Sequence, residues 1–328
     1  MKAFTYREYG AADVLRIEEL PKPQPSYNQI LVKIRAASVN TLDWHFLRGK
    51  PFLVRMQFGF IKPKVNILGY DFSGIVEAAG SSVTMFKPGS EVFGALGWKL
   101  GAFAEYACID ENAFVEHKPG DVTFQQAASV PAAAVTALIA LKDRGQIKAG
   151  QKVLINGSTG AVGTFSVQMA KAFGAHVTAV CSTGNIDLVK SLGADETIDY
   201  TRDDFNDSDK QYDFILDNVG NCKTRSLLKS LAGGGTCVCV GFQSMPRMIH
   251  HSIFGPLMAH RQGKKWPART SDEPGKSHAV LLKQMLEDGQ ILPFIDRAYP
   301  FRQLPEAISY VEKGHARGKV VISMDDIN

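Results

Sequence analysis

The sequence predicts an α/β protein in which a doubly wound parallel sheet is joined to a β-rich, barrel-like domain. Two patterns indicate this fold. From residue 151 onwards, strand-like and helical segments alternate, which is typical of a parallel sheet built from βα units. Over the first 120 residues, short strand-like segments are separated by turns containing Pro and Gly, which favours a barrel-like domain. A chain of 328 residues is long enough for about two domains.

The composition is that of an ordinary soluble protein, with 45% hydrophobic and 21% charged residues. The formal net charge is only +4 and there is no dense Lys/Arg block, so nucleic-acid binding is not indicated. The N-terminus lacks the apolar core of a signal peptide, and the longest apolar run, 127–141, is too short to span a membrane. We therefore expect a cytoplasmic protein without a membrane span.

The five cysteines contain no C-x-x-C pair. Cys237 and Cys239 lie two residues apart on a predicted strand, but no second pair exists to complete a zinc site. Buried free thiols in a reducing cytosol are the favoured interpretation.

The first domain is predicted to contain six strands and one short helix. The strands are Lys2–Tyr6, Leu15–Leu20, Gln29–Ala37, Asp71–Ala79, Glu91–Phe93 and Ala102–Ile109. The short helix begins at Thr41, where Asp43 is either a functional residue or only a helix cap. A longer helix, from Gln125 to Gly145, leads into the second domain.

The second domain begins with a complete βαβ unit. The run Lys152–Asn156 is a buried strand, the glycine-rich turn 157–163 follows at once, a helix with one apolar face comes next, and His176–Cys181 is the second strand. Glycine lets the backbone approach a pyrophosphate closely, and the first amides of the helix point a positive dipole end at it. This order predicts a Rossmann-type dinucleotide site.

The residues after the second strand indicate which dinucleotide is bound. An NAD site usually carries an acid here, but the chain reads Cys-Ser-Thr-Gly-Asn at 181–185. The hydroxyls of Ser182 and Thr183 can donate to a 2′-phosphate, with Lys190 as a charge partner, which favours NADPH. The alternative is that Ser182 and Thr183 only cap the next helix.

The alternation continues to the C-terminus. The predicted elements are a helix at Ile186–Leu192, strands at Glu196–Asp199 and Phe214–Asp217, a helix at Thr224–Leu231, a strand at Thr236–Gly241, a helix at Ser277–Gly289, a strand-like run at Pro293–Tyr299, a helix at Leu304–Gly314 and a strand at Lys319–Ile322. Ligands bind at the carboxyl ends of parallel strands, so Asn218, Gly241 and Phe242 are candidates for contacts with a ribose and nicotinamide. The irregular segment 243–276 is either a loop or mobile helix over the active site, or a surface insertion or subunit contact.

The chain resembles the medium-chain dehydrogenase/reductase superfamily, in its zeta-crystallin-like quinone oxidoreductase branch. The markers extend over the whole chain and are Ala-Ser-Val-Asn-x-x-Asp-Trp at 37–44, Leu-Gly-Tyr-Asp-Phe-Ser-Gly-Ile-Val at 68–76, the turn 157–163, Asp-Tyr at 199–200 and Gly-His-Ala-Arg-Gly-Lys-Val-Val-Ile at 314–322. The resemblance implies a GroES-like catalytic domain at 1–123 and 269–328 and a Rossmann domain at 124–268.

The resemblance also implies a set of site residues. Alcohol dehydrogenases of the superfamily hold catalytic zinc with a Cys near Asn40 and a His near Tyr70, and neither ligand is present here, so we expect no metal. Asn40 would face the nicotinamide and substrate, and Tyr70 is either a proton donor or a packing residue. The cofactor-binding residues implied are Thr159, Gly160, Ala161, Val162, Ser182, Thr183, Tyr200, Asn218, Gly241, Phe242, His315, Ala316 and Arg317. Two departures weaken the match: Ala161 stands where this branch often has Gly, and a basic residue common just after the Ser is missing.

The function implied is NADPH-dependent hydride transfer to a quinone or an α,β-unsaturated carbonyl. Without a metal Lewis acid, a conjugated acceptor is favoured because its own π-system spreads the incoming charge. Trp44, Phe46 and the 243–276 segment are expected to supply an apolar pocket. The alternatives are a non-catalytic NADPH-binding structural or regulatory protein and a zinc alcohol dehydrogenase with unusual ligands. The family also implies a homodimer.

Overall fold

The computed structural model describes residues 1–207, 209–267, 274–325 and 327. The chain divides into two compact units. Unit 1 comprises Met1–Val135, Glu273–Gly289 and Pro293–Asn328, and unit 2 comprises Thr136–Asp272 and Gln290–Leu292. The predicted domain boundary between residues 268 and 269 lies outside the described residues.

The described residues form fourteen strands and ten α-helices. The strands are β1 Lys2–Thr5, β2 Arg16–Glu19, β3 Gln29–Val39, β4 Asp71–Ala79, β5 Glu91–Ala95, β6 Tyr106–Asp110, β7 Val115–His117, β8 Lys152–Asn156, β9 His176–Cys181, β10 Glu196–Asp199, β11 Tyr212–Asp217, β12 Leu231–Cys239, β13 Ile295–Pro300 and β14 Lys319–Ser323. The helices are α1 Thr41–Arg48, α2 Leu53–Phe58, α3 Phe124–Ala128, α4 Pro131–Leu138, α5 Ala161–Ala172, α6 Ile186–Ser191, α7 Thr224–Lys229, α8 Met245–Arg261, α9 Lys276–Glu287 and α10 Leu304–Glu312.

Unit 2 is built on a five-stranded parallel sheet in the order β10-β9-β8-β11-β12. Its central strands are continuous apolar runs, and residues 153–155 of β8 are fully buried, as expected where helices cover both faces of a sheet. Chain order reverses between β8 and β11, and the crevice at such a point is where doubly wound sheets bind their ligands. The predicted Rossmann-type sheet is confirmed.

Unit 1 contains a seven-stranded sheet and the two-stranded pair β1-β2. The larger sheet has the path β13-β14-β3-β4-β5-β7, with β6 also pairing with β3, and all of its pairs are antiparallel except β13-β14. Strand β3 is the longest at 11 residues and pairs with β14, β4 and β6. Because β3 links strands from both ends of the sequence, C-terminal residues reach the site residues that follow it.

Three elements differ from the predictions. The single helix expected over 125–145 is interrupted: α3 ends at Ala128, α4 begins with Pro131, and a π-helical stretch occupies Ile139–Arg144. Proline lacks a backbone N–H and is favoured in a first helical turn, where that N–H would have no intrahelical acceptor, and here Pro131 starts a new helix. Helix α2 and strand β7 were not predicted. Within the segment 243–276, for which a helix was one of the predicted alternatives, residues 245–261 form the 17-residue helix α8. No helix among the described residues is both long enough and apolar enough to cross a membrane.

Candidate functional site

The carboxyl edge of the parallel sheet brings together most of the predicted cofactor-binding residues. Thr159–Val162 follow β8, Ser182 and Thr183 follow β9, Tyr200 follows β10, Asn218 follows β11, and Gly241 and Phe242 follow β12. Parallel strands end at one edge, so residues as far apart in sequence as Thr159 and Phe242 lie on the same side of unit 2. This edge has the layout of a dinucleotide site.

The glycine-rich turn has the backbone geometry that close approach requires. Gly157 has φ +74°, a left-handed conformation that L side chains rarely adopt. A Cβ added at Gly163 would lie 2.1 Å from the carbonyl oxygen of Gly157 and 2.6 Å from the carbonyl carbon of Ser158. Helix α5 can therefore start directly against the turn, and its first amides, which lack intrahelical acceptors, point out of the carboxyl edge.

The end of β9 was predicted to have no acidic side chain, but the structure brings one there from the neighbouring strand. No acid occupies residues 181–185, but Asp199 pairs with Cys181 in the β9–β10 register, and the Thr183 hydroxyl donates to the Asp199 carboxylate. That hydrogen bond holds the pKa of Asp199 below its ordinary value. Arg202 lies 3.7 Å from the same carboxylate. The position therefore combines an acid from the neighbouring strand with an arginine, and neither had been assigned a role.

Ser182 is held locally. Its Oγ accepts a hydrogen bond of 2.9 Å from the Asn185 side chain, and its backbone precedes the short helical turn Thr183–Asn185. Ser182 makes no side-chain cap to that turn. The Tyr200 side chain, one residue after Asp199, is 63% exposed. Both side chains are placed where they can contact a ligand.

The loop after β11 has a buried amide that no described protein atom satisfies. Neither Oδ1 nor Nδ2 of Asn218 has a hydrogen-bond partner. The neighbouring Asp217 Oδ1 accepts the N–H groups of Val219 (3.1 Å) and Gly220 (2.9 Å), which fixes the loop. Orphaned buried polar groups are rare in native proteins, and a polar ligand is a common explanation. The Asn218 amide thus fits the polar end of a nicotinamide cofactor.

Glycines pack this loop against the end of β12. A Cβ at Gly241 would lie 2.0 Å from the Asn218 carbonyl oxygen, and a Cβ at Gly220 would lie 2.3 Å from the Gly241 carbonyl oxygen. Phe242 follows, with its ring centroid 6.0 Å from that of His251 on α8. The two predicted nicotinamide-proximal loops are therefore in backbone contact with each other.

In unit 1, Asn40 belongs to a buried polar network that the sequence did not reveal. The Lys319 ammonium donates to Asn40 Oδ1 (2.6 Å) and to Asp71 Oδ2 (3.1 Å), and it is 1% exposed. Asp71 is fully buried. Its Oδ2 also accepts the Ser38 hydroxyl (2.6 Å) and the Asn40 Nδ2 (3.0 Å), and its Oδ1 accepts the Ala132 N–H (2.9 Å).

This network fixes the Asn40 amide in one orientation. Oδ1 faces a permanent donor and Nδ2 faces a carboxylate, so a flipped amide would oppose like groups on both sides. The Nδ2 makes a second, long contact of 3.5 Å with the Ser38 carbonyl. Oδ1 keeps one acceptor lone pair, so Asn40 is better suited to accept a hydrogen bond from a ligand than to donate one.

Asp43 stabilises the first turn of α1. Its carboxylate accepts the N–H of Asn40 at 2.7 Å and the N–H of Gly69 at 3.1 Å. Burial raises the pKa of Asp43 to about 7, while the bond from the Asn40 N–H opposes the rise. Asp43 therefore caps the helix and ties the backbone before Tyr70 to the backbone at Asn40.

The other predicted residues of unit 1 lie in distinct surroundings. Tyr70 is half-buried against the main apolar cluster of unit 1, and its carbonyl accepts the N–H of Leu96. The loop containing His315, Ala316 and Arg317 is fixed by Asp296, whose Oδ2 accepts the Arg317 N–H at 3.1 Å.

The residues expected to line an apolar pocket are also placed differently. Trp44 stacks on His45 with ring centroids 3.6 Å apart, whereas Phe46 is buried in the core against Phe58.

The donor set around Asn40 does not fit a zinc ion. Asn40 and Tyr70 are weak ligands compared with a thiolate and an imidazole, and the Asn40 amide oxygen is already bonded to an ammonium group. Within the described ranges, no group of three or more His, Cys, Asp or Glu side chains is arranged to hold a metal. The five cysteines are free.

The chain matches two family models. One, described as the alcohol dehydrogenase GroES-like domain, covers residues 26–119, and the other, described as zinc-binding dehydrogenase, covers residues 192–322.

Full-length relatives and solved structures extend this similarity. A mitochondrial NAD(P)H oxidoreductase of Bos taurus is 35% identical over 357 residues, covering 99% of this chain and 89% of the relative. The 2-methylene-furan-3-one reductase of Solanum lycopersicum is also 35% identical, covering 98% and 79%. The structure of the quinone oxidoreductase from Coxiella burnetii aligns with a TM-score of 0.86 at 30% identity over 99% of both chains.

Proposed function

Because the chain belongs to the quinone oxidoreductase branch of the medium-chain dehydrogenase/reductase superfamily, we propose that it is an NADPH-dependent reductase of quinones or α,β-unsaturated carbonyls that works without zinc. The observation that carries the proposal is the Lys319–Asn40 hydrogen bond, in which an ammonium group occupies the amide oxygen of the residue near which zinc-dependent alcohol dehydrogenases carry a Cys ligand. Relatives named as a chloroplastic NADPH-dependent alkenal/one oxidoreductase of Arabidopsis thaliana and a chloroplastic quinone oxidoreductase of Triphysaria versicolor support the acceptor class.

The residues of unit 2 provide the cofactor site in this proposal. NADPH, when bound, supplies the hydride. The amides at Thr159, Gly160, Ala161 and Val162 and the dipole of α5 hold the pyrophosphate, and the hydroxyls of Ser182 and Thr183 with Tyr200 hold the adenosine phosphate. The Asn218 amide, Gly241 and Phe242 hold the nicotinamide end.

The residues of unit 1 orient the bound ligands and include a candidate proton donor. Asn40 is held rigidly and offers an acceptor lone pair, so it orients an N–H or O–H group of the cofactor rather than the carbonyl of the acceptor. Tyr70 is a candidate proton donor, and His315, Ala316 and Arg317 contact the cofactor. A conjugated acceptor distributes the negative charge over its own oxygen and π-system, so no metal is required.

The proposal also includes the domain boundaries, the location and the oligomeric state. We place the GroES-like domain at 1–123 and 269–328 and the cofactor domain at 124–268. The reduced state of the five cysteines supports a cytoplasmic location, since structural thiols persist in reducing compartments. A homodimer is proposed because members of this branch commonly dimerise.

An absorbance assay of NADPH oxidation tests the proposal. The panel contains 9,10-phenanthrenequinone, a simple benzoquinone, an alkenal and, in the reverse direction, an alcohol with NADP⁺. Turnover of quinones or alkenals, with the alcohol inactive, is expected. Tight NADPH binding without turnover of any acceptor would instead support a non-catalytic cofactor-binding protein, and alcohol oxidation that tracks bound zinc would support a zinc dehydrogenase.

A further inference from the structure

Residues 44–70 combine positive charge with exposed apolar side chains. This stretch contains five Lys or Arg residues and no Asp or Glu, although the whole chain has 33 acidic residues. Five large apolar side chains are at least half exposed within ten residues: Phe52 (57%), Leu53 (52%), Met56 (65%), Phe60 (63%) and Ile61 (87%). Soluble proteins rarely expose apolar side chains in such a cluster unless the surface binds something.

The exposed side chains form one patch. The rings of Phe52 and Phe60 meet edge to face, with centroids 5.3 Å apart, although eight residues separate them. Ile61 follows Phe60 at the tip of the loop after α2. Phe52, Phe60 and Ile61 therefore form one apolar surface, and Leu53 and Met56 lie on the helix α2 that follows Phe52.

The chain around the patch is tied to the core, so the tip cannot simply fold inward. Phe58 is buried against Phe46, with ring centroids 4.4 Å apart. The Tyr9 hydroxyl donates to the Gly59 carbonyl at 2.6 Å, and the Lys64 N–H donates to the Phe58 carbonyl at 2.7 Å. These bonds close a turn that holds residues 60 and 61 outward.

The cations beside the patch are available to an external anion. Lys50, Lys62 and Lys64 are exposed, and none of them is in an ion pair within the described part of the chain. Arg55 is engaged by the protein itself: its Nε donates to the Gly49 carbonyl at 3.2 Å, and its guanidinium lies 4.6 Å from the Tyr9 ring centroid. Among the five cations of 44–70, Arg48 is the one with an acidic partner in the described ranges, and that partner is Glu312.

We propose that residues 50–64 form a docking surface for an anionic lipid bilayer. The apolar tip enters the boundary between headgroups and acyl chains, while the lysines remain at the level of the anionic headgroups. A second copy of the chain is a poorer occupant, because two identical cationic surfaces would repel each other. Charge complementarity thus selects the lipid surface.

Vesicle flotation of the full chain measures this binding without substrate or NADPH, so a failure of the proposed reductase function leaves the result unaffected. The vesicles are phosphatidylcholine alone or phosphatidylcholine with 30% phosphatidylserine, at 0.15 M and 0.5 M NaCl. Binding to the anionic vesicles at low salt, reduced at high salt and on neutral vesicles, is expected. Equal recovery with both lipids, or no binding to either, would overturn the proposal.

Two double variants separate the apolar and charged contributions. Phe60→Ser/Ile61→Ser should lower the partition coefficient at least tenfold, because two large side chains no longer enter the bilayer. The matched control is Tyr27→Ser/Leu292→Ser, which removes two large side chains that are also more than 60% exposed, elsewhere on the chain, and should leave binding unchanged.

Lys62→Gln/Lys64→Gln should lower binding about 25-fold, at roughly fivefold for each lysine. Its control, Lys87→Gln/Lys313→Gln, removes the same charge from other exposed positions and should have a much smaller effect. Circular dichroism confirms folding of all four proteins. If Phe60→Ser/Ile61→Ser instead abolishes self-association in sedimentation while vesicle binding persists, the surface is a subunit contact and the proposal is wrong.

Discussion

Replacing Lys319 by Met isolates the energetic role of the buried network. The side chain is 1% exposed and its partner Asp71 is fully buried, so the variant leaves a carboxylate in the core without its cation. Removing one partner of a buried ion pair typically costs 3–5 kcal/mol. Asp71 keeps its bonds from Ser38, Asn40 and Ala132, so we expect the lower end, about 3 kcal/mol, which is more than a hundredfold in the folding equilibrium.

Tryptophan fluorescence in urea measures this cost in unit 1. The chain has three tryptophans, of which Trp44 and Trp98 lie in unit 1, so a Trp266→Phe background restricts the signal to that unit. The matched control is Lys283→Met, which removes an exposed pair with Glu287 in the same unit and should cost less than about 0.5 kcal/mol.

A second variant shows whether the uncompensated charge is the cause. Asp71→Asn/Lys319→Met removes both charges and should be more stable than Lys319→Met alone. If Lys319→Met lowers the free energy of unfolding by less than about 1 kcal/mol, or by no more than Lys283→Met does, Lys319 does not compensate a buried charge.

Three further predictions concern a titrating carboxyl, the glycine-rich turn and cofactor choice. Burial raises the pKa of Asp43 from 3.8 to about 7, so between these pH values the native state retains a proton that the unfolded chain releases. In urea titrations, the free energy of unfolding of the wild type relative to Asp43→Asn should therefore fall by up to about 4 kcal/mol between pH 4 and pH 8. A difference in unfolding free energy that does not change with pH would contradict this. Gly163→Ala should lower thermal stability and NADPH affinity because its Cβ would collide with the Gly157 carbonyl, whereas Gly184→Ala, which meets nothing within 4 Å, should be tolerated in both thermal melts and NADPH titrations; equal effects would argue against the clash. Ser182→Asp should raise the KM for NADPH at least tenfold relative to that for NADH, because a carboxylate repels the 2′-phosphate. An unchanged ratio of the two KM values would show that Ser182 does not contact the 2′-phosphate.

The parallel sheet could be predicted because each of its strands has a local signal. Strands β8, β9 and β10 were predicted with their observed bounds. β8 and β9 are short buried apolar runs followed by Gly157 and Ser182, whereas β10 is a half-buried strand of four residues. Strand β7 was missed because three residues, Val115–His117, show no periodicity. The interruption before Pro131 had a visible cause in the proline, but the apolar run around it favoured a single helix.

The polar networks could not be predicted, because they join residues that are distant in sequence. Lys319 and Asp71 are 248 positions apart and meet because β14 pairs with β3 and β3 pairs with β4. Asp199 reaches Thr183 through the β9–β10 register in the same way. The local signal for the Lys319–Asp71 contact was a single lysine at the start of an apolar strand. That signal does not identify Asp71, because the pairing of the two residues depends on the sheet register.

The central claim is hydride transfer from NADPH to a conjugated acceptor without a metal. We would measure turnover of 9,10-phenanthrenequinone by protein dialysed against a chelator, with zinc content determined on the same sample. We expect undiminished NADPH oxidation at far less than one zinc per chain. Activity that disappears with the metal and returns in proportion to added zinc would contradict it.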